Sequence, residues 1–227
     1  MRILTFNVQN DEGDPRRTGL INRELRRLAP DVVALQEVRF PGQLQQLLAG
    51  TGLTATHQQQ VLPNSPDEYG GTAVATKWPH TVEEVSESEP GARFHWWTLT
   101  VVTSNDLRIV APTTPWEPDA AAARESQARR IRGSGRTIVA GDLNATPGSA
   151  SIRLIRKIFV DAWERAGSGP GDTWTAGRID YVFVSPDLEV TAARRIGTAP
   201  VDGVRLSDHY GVLADVNHVE ERGGGAA

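Results

Sequence analysis

The sequence of 227 residues contains no cysteine, and Lys77 and Lys157 are its only lysines. The absence of cysteine excludes disulfides, zinc–thiolate sites and a cysteine nucleophile. It is compatible with a reducing cytoplasm, which is the location we predict, although an oxidising compartment fits equally well. No run approaches the roughly 20 apolar residues of a membrane-spanning helix. The opening MRILTFNV lacks the apolar core of a signal peptide and is typical of a strand, so we expect neither a membrane span nor a leader.

Acidic residues outnumber basic ones, 28 Asp and Glu against 24 Lys and Arg, so the formal net charge is −4. Proteins that grip nucleic acid nonspecifically are usually basic. The acidic balance therefore argues mildly against a strong grip on a phosphate backbone, although a locally basic cleft would escape this count. The length suits one large domain, and we predict a single domain over residues 1–218 with a disordered tail over 219–227.

Hydrophobic periodicity predicts more strands than helices. Residues 2–8 alternate as a strand, and 18–28 carry apolar residues on one helical face until Pro30 ends the helix. Further strands are predicted at 31–36, 72–76, 94–103, 107–111, 136–140, 179–184, 189–193 and 211–216, and further helices at 44–48, 119–132 and 149–159. This mixture favours an α+β or mixed α/β fold with sheets packed face to face and helices outside.

Polar side chains recur where predicted strands end or begin. They are Asn7, Glu37, Asp142, Asn144, Asp180, Asp208 and His209. Loops carried by a rigid sheet are where sites are built, so residues at one end of adjoining strands are expected to cluster. Carboxylate and amide oxygens suit Mg²⁺, Mn²⁺ or Ca²⁺. A histidine beside a buried aspartate stabilises an imidazolium, and a metal, an activated water and such a histidine are what phosphate ester hydrolysis needs.

Each of these residues also has a purely structural interpretation. The alternatives are Asn7 as a turn former, Glu37 as a surface residue, Asp142 and Asn144 as caps of the following helix, Asp180 as a partner of Arg178 or Arg195, and His209 as a satisfied core histidine.

Five segments occur in the order FNVQN, LQEV, GDLNATP, RIDYVFVS and LSDHYGV. Together they resemble the signature segments of the endonuclease/exonuclease/phosphatase superfamily, which includes deoxyribonuclease I. The resemblance implies an α/β fold, a four-layer α/β/β/α sandwich with two central, mostly antiparallel sheets. It also implies phosphoester cleavage that depends on Mg²⁺ or Mn²⁺ and proceeds by in-line attack of water.

The same resemblance implies a role for each matched residue. Glu37 would be the main metal ligand, with Asn7 alongside, and Asp208 would either bind the metal or support the residues that bind it. Asp142 would position or deprotonate the attacking water, and Asn144 would hold a phosphate oxygen. His209, oriented by Asp180, would stabilise the developing charge or act as the acid.

The sequence departs from the family pattern after the strand at 107–111. Family members usually place a phosphate-binding histidine there, and Thr113 is the residue that aligns with it. A hydroxyl can donate a hydrogen bond but carries no positive charge. Arg124 or His95 could substitute for the missing charge. We predict Thr113 and Trp174 as substrate-binding residues, although a packing role for Trp174 fits about as well.

The predicted activity is a metal-dependent phosphodiesterase or nuclease, in the class of phosphoric ester hydrolases. The alternatives are a phosphatase or phosphodiesterase of a small molecule and, less favoured, a binding protein that kept the fold and lost catalysis. The partner is a phosphoester substrate, with nucleic acid among the candidates. The sequence leaves the substrate, the preferred metal and the oligomeric state open.

Overall fold

A computed structural model describes residues 1–66, 68–88 and 94–218. Within them, twelve strands form two six-stranded sheets. The strands are β1 (Arg2–Asn7), β2 (Val32–Val38), β3 (Thr54–His57), β4 (Gly71–Thr76), β5 (His80–Glu87), β6 (Trp97–Thr103), β7 (Arg108–Pro112), β8 (Thr137–Asp142), β9 (Val160–Asp161), β10 (Asp180–Val184), β11 (Leu188–Ile196) and β12 (Gly211–His218). The helices are α1 (Arg17–Leu28), α2 (Gly42–Leu48), α3 (Gln58–Val61), α4 (Ala121–Arg130), α5 (Ala150–Arg156) and α6 (Ala162–Ala166).

The two sheets have similar plans. The first has the order β11-β12-β1-β2-β4-β3 and the second the order β5-β6-β7-β8-β10-β9. Each contains one parallel pair, β1 with β2 and β7 with β8, and every other pairing is antiparallel. A helix joins the two strands of each parallel pair, as a parallel crossover requires. The mostly antiparallel arrangement expected from the sequence is confirmed.

Three apolar clusters separate four layers. Side chains such as Ile3, Ala34 and Ile109 form the core between the two sheets. The opposite face of the first sheet packs against α1 and α2, and that of the second sheet packs against α4 and α5. Because the inner strands are covered on both faces, they consist of nearly continuous apolar residues. The order helix, sheet, sheet, helix is the predicted sandwich.

Several element boundaries differ from the sequence-based prediction. The helix expected to reach Phe159 ends at Arg156, which leaves Ile158 exposed. Strands β3 and β5 were not predicted, because both are polar edge strands, and β5 reads HTVEEVSE. The predicted tail at 219–227 lies outside the described residues. Within the described part of the chain, no helix has both the length and the apolar character to cross a bilayer.

The topology brings the predicted polar residues to one edge of both sheets. Parallel strands β1 and β2 run toward that edge together, and Asn7 is the last residue of β1. In the second sheet, Asp142 ends β8 and lies directly opposite Asp180, which begins the antiparallel β10. Antiparallel β12 starts beside the end of β1, so His209 just before it reaches the same edge. Strand direction alone therefore gathers residues that are far apart in sequence.

Candidate active site

A cleft of about 430 Å³ opens at this shared edge of the sheets. Its floor carries polar residues that the sequence analysis singled out, and its sides carry aromatic rings. The lining residues are Gln9, Asn10, Glu12, Glu37, Tyr69, Trp96, Trp116, Asp142, Asn144, Thr146, Trp174, Ala176, Ile179, Asp208 and His209.

An imidazole lies between two buried carboxylates at the floor of the cleft. His209 Nδ1 is 2.9 Å from Asp180 Oδ2 and 3.9 Å from Asp142 Oδ2. Thr173 Oγ1 accepts the backbone N–H of Asp180 at 3.1 Å, and Ser207 Oγ accepts that of His209 at 3.1 Å. These backbone contacts hold the pair in place. Because Asp180 pairs with His209, the alternative prediction that it pairs with Arg178 or Arg195 is wrong. Arg178 instead binds Asp161.

The charges of Asp142, Asp180 and His209 change the pKa values of their neighbours. Burial raises the pKa of Asp142, and the neighbouring Asp180 carboxylate raises it further. Burial by itself lowers the pKa of His209, but the adjacent Asp180 and Asp142 carboxylates outweigh it and raise that pKa. The imidazole is therefore held in its cationic form between two acids. Strongly shifted pKa values of an acid and a base in one cleft are typical of acid–base sites.

Asn7 links the two sheets at the floor. Its Nδ2 donates to Glu37 Oε1 at 2.9 Å and to Asp142 Oδ2 at 3.0 Å. Its Oδ1 accepts the backbone N–H of Gln9 at 2.9 Å. The side chain is fully buried. Asn7 thus positions two carboxylates through its amide nitrogen, while its oxygen is engaged in a local turn.

Glu37 enters the cleft from a β-bulge. The pairing of β2 with β4 shifts register between Leu35 and Val38, and Glu37 has a φ of 53°. A bulge of this kind redirects a side chain from its sheet face. Gly70 allows it, because a Cβ there would lie 2.7 Å from the Glu37 carbonyl carbon. Burial raises the pKa of Glu37, against the opposing hydrogen bond from Asn7.

Left-handed backbone is concentrated at the cleft. Seven residues other than glycine have a positive φ among the described residues, and four of them line the cleft: Gln9, Asn10, Glu37 and Asn144. Such conformations cost free energy and persist where the surroundings impose them, often at functional sites. Asn144 is fixed further, because its Nδ2 donates to Thr114 O at 2.9 Å and its N–H donates to Asp142 Oδ1 at 3.0 Å.

The predicted substrate-binding residues occupy different environments. Trp174 lines the cleft, and its ring centroid is 6.5 Å from that of His209. Thr113 does not line the cleft; it is buried, and its Oγ1 is 2.8 Å from Thr72 Oγ1. Arg124 donates to the carbonyls of Pro115 and Glu117, away from the cleft. His95 pairs with Glu87 and is also outside it. Neither of the two expected substitutes, Arg124 and His95, lines the cleft, and the substrate contact of Thr113 stays a prediction.

Several cleft residues were not assigned a role from the sequence. Gln9 holds Asp208, since its Oε1 accepts the Asp208 backbone N–H at 3.2 Å. Asn10 donates to the carbonyl of Tyr69, which places that ring beside the cleft. For Gln9 and Asn10 the signal was present in the segment FNVQN, directly after the first strand. Tyr69 had no such signal, because it lies in a loop between elements.

A sequence model of the Endonuclease/Exonuclease/phosphatase family matches residues 4–209, and the chain belongs to that family. Nucleases and phosphatases both hydrolyse phosphoesters, so membership supports phosphoester hydrolysis as the general activity. None of the curated proteins matches the chain significantly.

Solved structures share the fold at low sequence identity. A humanized TDP2 from D. rerio is 22% identical with a TM-score of 0.76, covering 96% of this chain and 98% of that one. A mannosyl-6-phosphatase from Bacteroides thetaiotaomicron is 16% identical with a TM-score of 0.74, covering 96% of this chain and 99% of that one. An endonuclease/exonuclease/phosphatase from Beutenbergia cavernae is 24% identical with a TM-score of 0.72, covering 96% of this chain and 71% of that one.

Proposed function

We propose that the chain is a divalent-metal-dependent hydrolase of phosphodiesters, which cleaves a P–O bond by in-line attack of water at the floor of the cleft. The observation that carries the proposal is the buried His209–Asp180 pair beside Asp142. An imidazole held by one carboxylate and adjacent to a second is a suitable arrangement for proton transfer on both sides of a phosphorus centre.

The donor set fits a hard divalent cation such as Mg²⁺ or Mn²⁺. The ligand atoms of Asp142, Asp180 and His209 all lie within 4.8 Å of one another, but the imidazole of this group is cationic and cannot bind a metal. We therefore assign the ion to the other carboxylates of the cleft. Glu37 and Asp208 add carboxylates to the same cleft. Oxygen donors of this kind are those Mg²⁺ and Mn²⁺ prefer.

Glu37 and Asp208 are the residues we propose to hold the ion, with Asn7 orienting Glu37. When bound, the ion would neutralise charge on the phosphoryl oxygens. Asp142 accepts a proton from the attacking water. His209, whose Nδ1 faces Asp180, uses Nε2 to donate toward a phosphoryl or leaving-group oxygen. Asn144 has one amide N–H left after bonding Thr114, and we assign it to a phosphoryl oxygen.

The charge of the cleft favours a small substrate over an extended polynucleotide. Its described lining residues include four carboxylates (Glu12, Glu37, Asp142 and Asp208) and neither lysine nor arginine. Proteins that bind a phosphate backbone neutralise it with lysine and arginine. A volume of about 430 Å³ also lies in the range of small-ligand pockets. A phosphodiesterase or phosphatase of a small molecule is therefore the second candidate.

Structural neighbours include both substrate classes. One is described as D. rerio TDP2 complexed with a single-strand DNA product, and another as a mannosyl-6-phosphatase. A substrate panel distinguishes the candidates. We would compare single-stranded DNA, bis(p-nitrophenyl) phosphate and p-nitrophenyl phosphate with Mg²⁺, with Mn²⁺ and with a chelator.

The panel is run on the wild type, on His209→Ala and on His218→Ala. His218 is an exposed histidine at the far end of β12 and provides the matched control. We expect turnover of a diester in the presence of metal, its loss in His209→Ala and its retention in His218→Ala. Metal binding without turnover of any phosphoester would instead indicate a binding protein and would contradict the proposal.

A further inference from the structure

Four aromatic rings form a continuous row along one side of the cleft. Trp96 stacks on Tyr69 with centroids 5.5 Å apart and planes at 6°. Tyr69 meets Phe94 edge to face at 5.2 Å, and Phe94 stacks on Trp116 at 6.2 Å and 26°. Trp96, Tyr69 and Trp116 line the cleft. We call these four residues the aromatic row.

The row has a packed end and an exposed end. Trp96 is 4% exposed, whereas Trp116 is 48% exposed. Among the described residues, five large apolar side chains are exposed, and the two that line the cleft are Trp116 and Trp174. The indole of Trp116 therefore exposes apolar surface within the cleft at the end of the row. Clustered exposed apolar surface of this kind marks a binding site.

The geometry of the row selects the shape of its ligand. Trp96 and Tyr69 cover each other's faces, Phe94 meets Tyr69 edge to face, and Trp116 stacks on Phe94 at a tilt of 26° while about half of it stays exposed. A cage for a quaternary ammonium group needs several rings turned toward one point. A half-exposed indole at the end of the row instead suits a flat ring, which can stack on it.

We propose that the aromatic row is a subsite for a flat aromatic ring carried by one ester arm of the substrate, stacked on Trp116. That the ring belongs to a phosphoester rests on the proposed hydrolase function, whereas the stacking itself does not. The described lining residues include neither lysine nor arginine, which would bind further phosphates of a substrate. This agrees with a substrate arm that is bound by stacking on an aromatic ring.

The test is a binding measurement that needs no turnover. Phenylphosphonate and methylphosphonate carry the same anionic group, their P–C bonds resist hydrolysis, and only the first has a ring. We would measure both dissociation constants by calorimetry in Mg²⁺, on the wild type, Trp116→Leu, Trp116→Phe and Ile158→Ala. Ile158 is 41% exposed outside the cleft and serves as the control.

We expect phenylphosphonate to bind about 5- to 140-fold more tightly, the range for one stacked ring. Trp116→Leu should remove this preference, while Trp116→Phe and Ile158→Ala should keep most of it. Equal binding of the two phosphonates, or a preference that Trp116→Leu leaves unchanged, would overturn the proposal. So would tighter binding of 2-(trimethylammonio)ethylphosphonate than of phenylphosphonate.

A second pair of ligands identifies the source of the ring. Thymidine 5′-monophosphate and ribose 5-phosphate are compared in His209→Ala, where turnover should be lost. If thymidine 5′-monophosphate binds more tightly than ribose 5-phosphate and Trp116→Leu removes the difference, the ring belongs to a nucleotide. If these two ligands bind equally while phenylphosphonate still binds more tightly than methylphosphonate, the ring belongs to an aryl ester. A ring preference in a protein that hydrolyses nothing would keep the subsite and refute the hydrolase, so the two failures are distinguishable.

Discussion

Asp142 and Asp180 are direct register partners across β8 and β10, and the His209 imidazole lies within 3.9 Å of both carboxylates. Like charges placed directly opposite each other in a sheet are destabilising. The cationic imidazole of His209 offsets that repulsion, and the three side chains lie at the floor of the cleft. This relationship joins the second sheet to the loop that precedes β12.

The Asp180→Asn variant tests whether this ion pair matters for activity. Asparagine keeps the shape of the side chain but removes the negative charge that orients His209 and keeps it protonated. We expect diester turnover to fall by about 10²-fold or more, in line with the loss of a positioned proton-transfer group. Asp187→Asn, an exposed residue just beyond the same strand, should retain wild-type kinetics. Equal rates for the two variants would contradict the role of the pair.

Gly70→Ala tests the bulge that directs Glu37 without altering any polar group of the cleft. A Cβ at residue 70 would lie 2.7 Å from the Glu37 carbonyl carbon, so the bulge must shift. Gly52→Ala is the control, because Gly52 has a similar φ of 75° and nothing within 4 Å of its added Cβ. Alanine at a positive φ strains the backbone by about 1–2 kcal/mol in both variants. We expect only Gly70→Ala to lose turnover and to weaken Mn²⁺ binding measured by calorimetry.

Arg17 joins two of the segments that carry cleft residues. Its buried guanidinium donates to the carbonyls of Val8 and Glu12 on one segment and of Leu206 on the other. Arg17→Met leaves these carbonyls without their donor, and we expect a loss of about 2–4 kcal/mol in the free energy of unfolding. Arg23→Met on the same helix removes an exposed ion pair with Asp202 and should cost no more than about 1 kcal/mol. Guanidinium denaturation of both variants measures the difference.

His57 predicts an acid-sensitive contribution to stability. It is fully buried, its Nε2 is 3.1 Å from Val38 O, and burial lowers its pKa to about 4. Between that value and the ordinary value of 6.5, the unfolded chain binds a proton that the folded chain does not. The free energy of unfolding should therefore fall as pH drops from about 6.5 to 4, by about 3 kcal/mol. Above pH 6.5 this residue adds no pH dependence.

Denaturation curves at several pH values check this prediction. His57→Gln lacks the titrating group, so the stability of the wild type relative to this variant should decrease as the pH falls. A difference between the two proteins that stays constant from pH 7 to pH 4 would show that His57 does not titrate in this range.

The sequence was informative about the site because the relevant residues follow buried strands. Asn7, Asp142 and Asp180 interrupt apolar runs, and strand direction then brings them together. The fold class and the inner strands were predictable for the same reason. The edge strands β3 and β5 were not, since residues such as Glu83 and Glu84 of β5 keep an exposed edge polar and hide its pattern.

Other features depend on contacts that no local pattern encodes. Thr113 aligns with a phosphate-binding position, yet its hydroxyl meets Thr72 in a buried contact. The aromatic row joins Tyr69, Phe94 and Trp116 from separate loops, and only their packing reveals it. The bulge at Glu37 likewise arises from pairing with β4 rather than from the sequence of β2 alone.

The proposed metal-dependent hydrolysis is best tested by measuring turnover of bis(p-nitrophenyl) phosphate against metal concentration, in the wild type and in Asp142→Asn. We expect wild-type turnover to rise to saturation with Mg²⁺ or Mn²⁺ and to disappear with a chelator, and we expect turnover by Asp142→Asn to be lower by about 10²-fold or more. Turnover that ignores the chelator, or an Asp142→Asn variant as active as the wild type, would contradict it.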